Sequence, residues 1–257
     1  MAGERMPVPA WQAMTDEQAR RWAEILGHLA GALPAGAVSV VVDGAAPHAG
    51  VVADRLAPME RWYISESRAF FAVRAASWDA RFGDDMPACA AAVAEANLRT
   101  GGVAVDLGCG TGRALPALRD AVGRHGIVIG VDITPQMLAV ARDQGRTAGA
   151  GLILGDARHL PIADACVDAV FAAGLLGHLP DPEAGLHELA RITRPGGRLV
   201  LFHPSGRAAL AARHGHTLHP DEPLAEIPLR RSTDHTGWHL TSYDDPVHRF
   251  LAIGIRR

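Results

Sequence analysis

The chain contains no lysine; all 25 of its basic residues are arginine. That absence excludes a Schiff-base lysine, a lysine general base and a phosphate-binding P-loop lysine. Cysteine is scarce, and Cys89, Cys109 and Cys166 show no paired or metal-ligand spacing. Neither disulfides nor a bound metal is expected, and a reducing, cytoplasmic location is. Aromatic residues make up only 5% of the chain, the formal net charge is -3, and the basic residues form no block. Nucleic acid is therefore not an expected partner. No apolar run approaches the roughly 18 residues of a membrane helix. The opening Met1–Ala10 lacks the charged-then-apolar profile of a secretory signal, so no membrane partner is expected either.

What is present suits one sizeable core with an appendage: 257 residues, 48% of them hydrophobic. From Gly101 onward strand and helix patterns alternate. The expected strands are 103–107, 127–132, 151–154, 167–172, 198–203, 238–243 and 249–255. The expected helices lie around 111–123, 135–147, 182–193 and 206–213. Such alternation argues for an α/β fold with a mostly parallel sheet and helices on both faces. The last two strands are joined by Asp244-Asp245-Pro246, too short for a parallel crossover, so they form an antiparallel hairpin.

The most informative stretch is Val103–Arg113, where an apolar run ends in Asp106 and glycines follow at alternate positions, Gly108, Gly110 and Gly112. A buried strand feeding a glycine-rich turn and a helix brings backbone N–H groups close to a nucleotide-like ligand. A dinucleotide fingerprint requires Gly-x-Gly-x-x-Gly, and the sixth position counted from Gly108 is Arg113. A second apolar run, Ile127–Asp132, ends in a carboxylate able to accept both hydroxyls of a ribose. Gly155-Asp156-Ala157 follows the third strand, and Pro195-Gly196-Gly197 precedes the fifth.

Asp-x-Gly-x-Gly-x-Gly with Asp132, Asp156 and the Pro195-Gly196-Gly197 turn in register resembles the class I S-adenosylmethionine (SAM) methyltransferases, over residues 61–257. The resemblance implies a Rossmann-like fold with a seven-stranded, mostly parallel sheet and an antiparallel last strand. It implies that Asp106, Gly108, Cys109, Gly110 and Gly112 hold the methionine end of SAM. Asp132 would hold the ribose, Ile133 would pack on the adenine face, and Asp156 with Ala157 would read adenine; Gly174 closes the set. Structural alternatives stay open: Asp106 as a strand-end or capping acid, Asp132 as a cap for the helix near Pro135, Asp156 as a turn residue.

The acceptor side lies beyond strands four and five, since ligands of open α/β sheets bind at the carboxyl ends of the strands. Gly174, Leu175, His178, His203 and Ser205 fall there. His178 sits in Gly-Leu-Leu-Gly-His-Leu-Pro-Asp-Pro, similar to the segment after strand four in menaquinone-type small-molecule methyltransferases. His178 and His203 are the catalytic candidates, because an imidazole can take a proton from an acceptor near neutral pH. Packing roles for both remain open. His235 is a weaker acceptor-side candidate. Residues 61–98 read as a helical lid, with Phe71, Arg74 and Trp78 as further acceptor-side candidates. Asn97 is the only asparagine, and the Asp/Asn-Pro-Pro-Tyr/Phe motif of nucleobase and glutamine amino-methyltransferases is missing. A small-molecule acceptor methylated at O, N or C is left, with S-adenosylhomocysteine (SAH) as the other product. The Ala, Gly and Arg bias matches a high-GC bacterium and suggests specialised metabolism.

Residues 1–60 read as an αβα extension: an amphipathic helix over 14–33, a strand at 38–42 and a short helix at 51–56. This is similar to the start of a nucleoside-kinase-type P-loop domain, but Ala49, Gly50 and Val51 stand where Gly-Lys-Ser/Thr belongs. The extension is expected to pack beside the core as a lid or as a homodimer contact. Two other functions compete with methyl transfer. An NAD(P)-dependent oxidoreductase is disfavoured by Arg113 and by the lack of a Tyr-x-x-x-Lys pair. A non-catalytic SAM-binding scaffold would keep the motifs without turnover.

Overall fold

The computed structural model describes residues 16–25 and 58–257. Seven strands form one sheet: β1 (Val103–Leu107), β2 (Ile127–Asp132), β3 (Ala150–Leu154), β4 (Val167–Ala173), β5 (Thr193–His203), β6 (Trp238–Asp244) and β7 (Phe250–Arg256). Their spatial order is β3-β2-β1-β4-β5-β7-β6. The first five are mutually parallel, and β7 runs antiparallel to both β5 and β6. This is the Rossmann-like α/β arrangement with a reversed final strand. The order reverses between β1 and β4, so the crevice for a ligand opens at their carboxyl ends.

Period-2 alternation divides the strands between two cores. Val103, Val105 and Leu107 face one way, together with Ile129, Val131 and Leu201. They meet α7 (Pro182–Ile192) through Leu186 and Leu189, and α9 (Glu226–His235) through Leu229. Ala104, Val128, Phe171 and Val200 face the other way, onto α4 (Met86–Glu95) and α5 (Leu115–Val122). The helix starts follow ordinary chemistry. Asp181 caps α7 by accepting from the Ala184 N–H at 3.0 Å, with Pro182 in its first turn. Pro135 opens α6 (Pro135–Asp143) in the same way. α8 (Arg207–Arg213) follows β5.

Three departures from the sequence reading have physical causes. The helix expected over 61–98 is broken into α2 (Pro58–Ala72), a 3-10 turn at Ala75–Ser77, α3 (Trp78–Phe82) and α4. Gly83, at φ +68°, ends α3, and Pro87 then suits the first turn of a new helix rather than the middle of an old one. α9 was not expected: only Leu229 and Thr233 of it are buried, and Pro228 masks the pattern. The Pro195-Gly196-Gly197 turn is an interruption inside β5. Val167 pairs with Thr193 and Ala169 with Arg198, so residues 194–197 bulge from the ladder.

Of the helix expected over 14–33, Asp16–Ile25 is α1. Trp22 and Ile25 are buried in the same core as β1–β3. A Cβ on Gly151 would lie 2.3 Å from the Trp22 ring, so this glycine in β3 makes room for the indole. Arg21 donates to the carbonyls of Gly101 and His125, and Ala163 N–H donates to the Ile25 carbonyl. The expected strand at 38–42, the helix at 51–56 and the P-loop-like stretch lie outside the described residues. Among the described residues no helix is long and apolar enough to cross a membrane.

Candidate functional site

The glycine loop follows β1 at the switch point. Gly108, Gly110 and Gly112 have φ of +69°, +52° and +76°, which accounts for their alternate spacing. Each also meets a different boundary. A Cβ on Gly108 would come within 3.0 Å of Leu175, which follows β4 across the crevice, and one on Gly112 would come as close to Ala141 and Leu115. A Cβ on Gly110 would meet nothing within 4 Å, so the backbone there borders open space.

The loop's N–H groups do not point into that space, contrary to the expectation above. Gly108 and Cys109 both donate to the Val131 carbonyl, Gly112 donates to Cys109, and Gly110 donates to Asp132 Oδ2 at 2.8 Å. The loop is thus laced to the end of β2 and offers a ligand close approach rather than a ring of donors. The Cys109 side chain turns into the core, where burial pushes its thiol well above the usual range. Among the loop residues assigned to SAM, Cys109 therefore contributes packing beneath the site.

Two carboxylates meet under this loop. Asp106 is 2% exposed; burial first, and the charge of Asp132 second, push its pKa to about 8. Asp132 is also buried, and burial raises its pKa against the opposing N–H bonds from Thr134 and Gly110. Its Oδ1 accepts from Thr134 N–H at 2.8 Å and its Oδ2 from Gly110 N–H at 2.8 Å. A carboxylate has about four acceptor positions. One remains on each oxygen of Asp132, which suits two adjacent hydroxyls. Asp132 therefore braces the start of α6 and remains able to hold a diol.

Asp156 is more heavily engaged. Its Oδ1 accepts from Arg158 N and Nε at 2.9 and 3.2 Å, and its Oδ2 from Arg158 Nη2 at 2.8 Å. One acceptor position on Oδ2 is left. Ala157 is buried beside it, and Ile133 is half-buried at the end of β2.

On the acceptor side the structure brings most candidates together. Phe71 lies edge-to-face against both Trp78, at 5.6 Å between centroids, and His178, at 5.3 Å. A Cβ on Gly174, at φ +67°, would be 3.6 Å from the His203 ring. His203 Nδ1 lies 2.9 Å from the Ser205 carbonyl oxygen and 3.0 Å from its N–H, so Ser205 holds the imidazole plane. His178 keeps an open face, but the packing around the rest of its ring lowers its pKa. Burial lowers that of His203, and the nearby Arg213, His178 and His214 add to the effect. Both rings are therefore neutral at pH 7 and able to accept a proton. Arg74 stacks over Phe70 at 3.7 Å and donates to its carbonyl, which places it on the outer face of the lid.

His235 is not part of this group. It ends α9 just before Trp238, and Trp238 pairs with Arg256 at the edge of the sheet opposite His203↔Phe250. The topology separates it from the site.

Sequence reasoning missed a charged clasp over the glycine loop. Asp79 of α3 accepts from Thr111 Oγ1 at 2.8 Å and pairs with Arg146 at 2.6 Å. Arg113 pairs with Asp85 at 2.7 Å and donates to the Gly83 carbonyl. The signal was Arg113 itself, which interrupts the dinucleotide fingerprint and has its own structural use. Among the described residues, no group of three His, Cys, Asp or Glu side chains could hold a metal ion.

Comparison with known proteins agrees with this geometry. Residues 105–201 match a family described as a methyltransferase domain. The chain is 37% identical over 112 residues to a demethylmenaquinone methyltransferase of Shouchella clausii, covering 42% of this chain and 48% of that one. It is 38% identical over 101 residues to the methyltransferase GfsG of Streptomyces halstedii, covering 38% and 36%. The chain thus spans less than half the length of these curated relatives. Among solved structures, a chain of the complex between the Haloferax volcanii Trm112 methyltransferase activator and a methyltransferase superposes with a TM-score of 0.58 at 25% identity, covering 72% of this chain and 97% of that one. The magnesium protoporphyrin IX methyltransferase of Synechocystis with bound SAH shares the fold, with a TM-score of 0.59 at 18% identity over 75% of this chain and 99% of that one. Residues 105–201 thus carry a methyltransferase domain, and the sheet order, the glycine loop with its paired carboxylates and these likenesses support a class I SAM-dependent methyltransferase.

Proposed function

We propose that this protein transfers a methyl group from SAM to a small-molecule acceptor, at O, N or C, by in-line displacement, in bacterial specialised metabolism. The observation that carries the reading is Asp132. It is a buried carboxylate at the end of β2 with one acceptor position free on each oxygen, beside the open backbone of Gly110. The residues fit the cofactor elsewhere too. Asp106, beneath the loop, gains from a cation nearby. Asp156 keeps one acceptor for an exocyclic amine, and Ala157 follows it with a backbone N–H.

When bound, SAM supplies the electrophile, a methyl on a sulfonium. The chain's own residues then orient and enclose. The glycine loop sets the distance of approach, and Asp132 and Asp156 fix the nucleoside. Phe71 and Trp78 exclude water from the acceptor side. Alignment of this kind contributes about 7–11 kcal/mol to such a displacement, so little side-chain chemistry is required. Where the acceptor is O–H or N–H, neutral His203 or His178 takes the proton as the bond to carbon forms. Leu175 and Ser205 complete the acceptor side.

Calorimetry tests the reading. SAM and SAH should bind in the micromolar range, and Asp132→Ala should abolish binding. Tight binding of NADH with none of SAM would overturn it. SAM binding without methyl transfer to any small molecule in extracts of the host would favour a scaffold instead.

A further inference from the structure

Arg68 belongs to α2, and no motif marks it in the sequence. Its Nε donates to the carbonyl of Ile133 at 2.8 Å. Its Nη2 is buried and has no hydrogen-bond partner. A buried guanidinium donor left unpaired is costly, so its persistence calls for an acceptor that binding would bring. Burial lowers the pKa of Arg68, and the Asp156 carboxylate opposes that shift, so the two side chains lie within electrostatic reach. Arg68 therefore holds the Ile133 carbonyl and lies within electrostatic reach of Asp156, the residues assigned above to the face and the amine of the base.

The donors and acceptors at this place form a pattern. Asp156 Oδ2 has one acceptor position beyond its bond to Arg158. Ala157 follows with a backbone N–H, and Arg68 brings a free N–H from the lid. Adenine presents its exocyclic amine flanked by two ring acceptors, N1 and N7. With the amine on Asp156 and N1 on the Ala157 N–H, N7 is the acceptor left beside the amine.

We propose that Arg68 is a cofactor-binding residue that donates its unpaired Nη2–H to N7 of the adenine, closing the base pocket from the lid side. This rests on the SAM reading of the site. It also ties α2 to the nucleoside, so the lid orders on the same event that fills the base pocket.

The test is calorimetry of SAH and its 7-deaza analogue, in which N7 is replaced by C–H, on the natural protein and on Arg68→Met. The natural protein should bind the 7-deaza compound about tenfold more weakly than SAH. Arg68→Met should bind SAH about as weakly as the natural protein binds the analogue, and should not distinguish the two ligands. Equal binding of both ligands by the natural protein overturns the assignment of Arg68, and this arm needs no variant to fold. Discrimination retained in Arg68→Met overturns it as well. Failure of the natural protein to bind either compound would remove the SAM reading, and this inference with it.

Discussion

Arg113 Nε lies 2.7 Å from Asp85 Oδ1, and this ion pair joins the end of the glycine loop to the segment that follows α3. Arg146 and Asp79 make the parallel connection at 2.6 Å. The lid is therefore fastened to the same loop that borders the open space above Gly110.

Loosening the clasp should show in both properties. The Arg113 side chain is only 10% exposed, so Arg113→Met should lower stability by about 2 kcal/mol in urea melts. Asp79 is 30% exposed, and Asp79→Asn should cost about 1 kcal/mol or less. Both variants should speed amide exchange over 79–85 and hasten SAH dissociation. Unchanged exchange and unchanged release would show that the clasp does not hold the lid.

Asp106 sets a pH dependence whose sign follows from its burial. Its carboxyl stays protonated in the folded protein up to about pH 8, whereas the unfolded chain ionises it near 3.8. Between these values the unfolded state binds fewer protons, so this group makes stability fall as pH rises, with the slope ending above about pH 8. Asp106→Asn should flatten that slope in melts recorded across the range. Cofactor affinity should run the other way. Cationic SAM favours the ionised carboxylate, so its binding should tighten between about pH 6 and pH 8 and release a proton.

The glycines separate strain from ligand clash. Gly110→Ala should cost about 1 kcal/mol of stability from its positive φ alone, and should abolish SAH binding because the methyl enters the open space. Gly112→Ala adds contacts at 3.0 Å to Ala141 and Leu115, so its loss of stability should be the larger, about 2–3 kcal/mol. Thermal melts and calorimetry on the two variants decide the matter.

His203 and His178 have pKa values below the usual 6.5, so the neutral rings persist into mildly acidic solution. With an O–H or N–H acceptor, kcat/KM should stay flat from neutrality down to below pH 6.5 before falling. Replacing the imidazole that serves as base by Gln should lower kcat by about 10²–10⁴ while SAH binding is kept. A carbon acceptor that needs no base would leave both variants active.

Trp22 tests whether α1 belongs to the folded domain. Its ring is 8% exposed and rests on Gly151 of β3. Trp22→Ala should cost about 3–5 kcal/mol in denaturant melts, whereas a change on a loosely attached extension would cost almost nothing.

Much of the fold was legible because strands buried on both faces appear in the sequence as near-continuous apolar runs. Val103–Leu107 and Ile127–Asp132 read as apolar runs, each carrying an aspartate at or next to its end, and are strands with those same bounds. The lid was read less well. Residues 61–98 read as one helical lid, and the break at Gly83 depends on local backbone geometry that outweighs periodicity. The site was legible where backbone conformation dictates residue type. Three glycines at positive φ and an acid at a strand end leave a mark in sequence.

What the sequence determined by itself was the alternation of strands and helices, the glycine turn and the carboxylates at or just beyond the ends of β1, β2 and β3, because each is set by neighbours a few positions away. Only the tertiary structure decided that the loop's N–H groups bond to β2, that His235 lies at the far edge of the sheet, that Arg68 reaches the Ile133 carbonyl and that Arg113 reaches Asp85. Those facts depend on which strands become neighbours and on which side chains find buried partners. The Ile133 carbonyl that receives Arg68 is 65 positions away along the chain, a distance that only the folded chain closes.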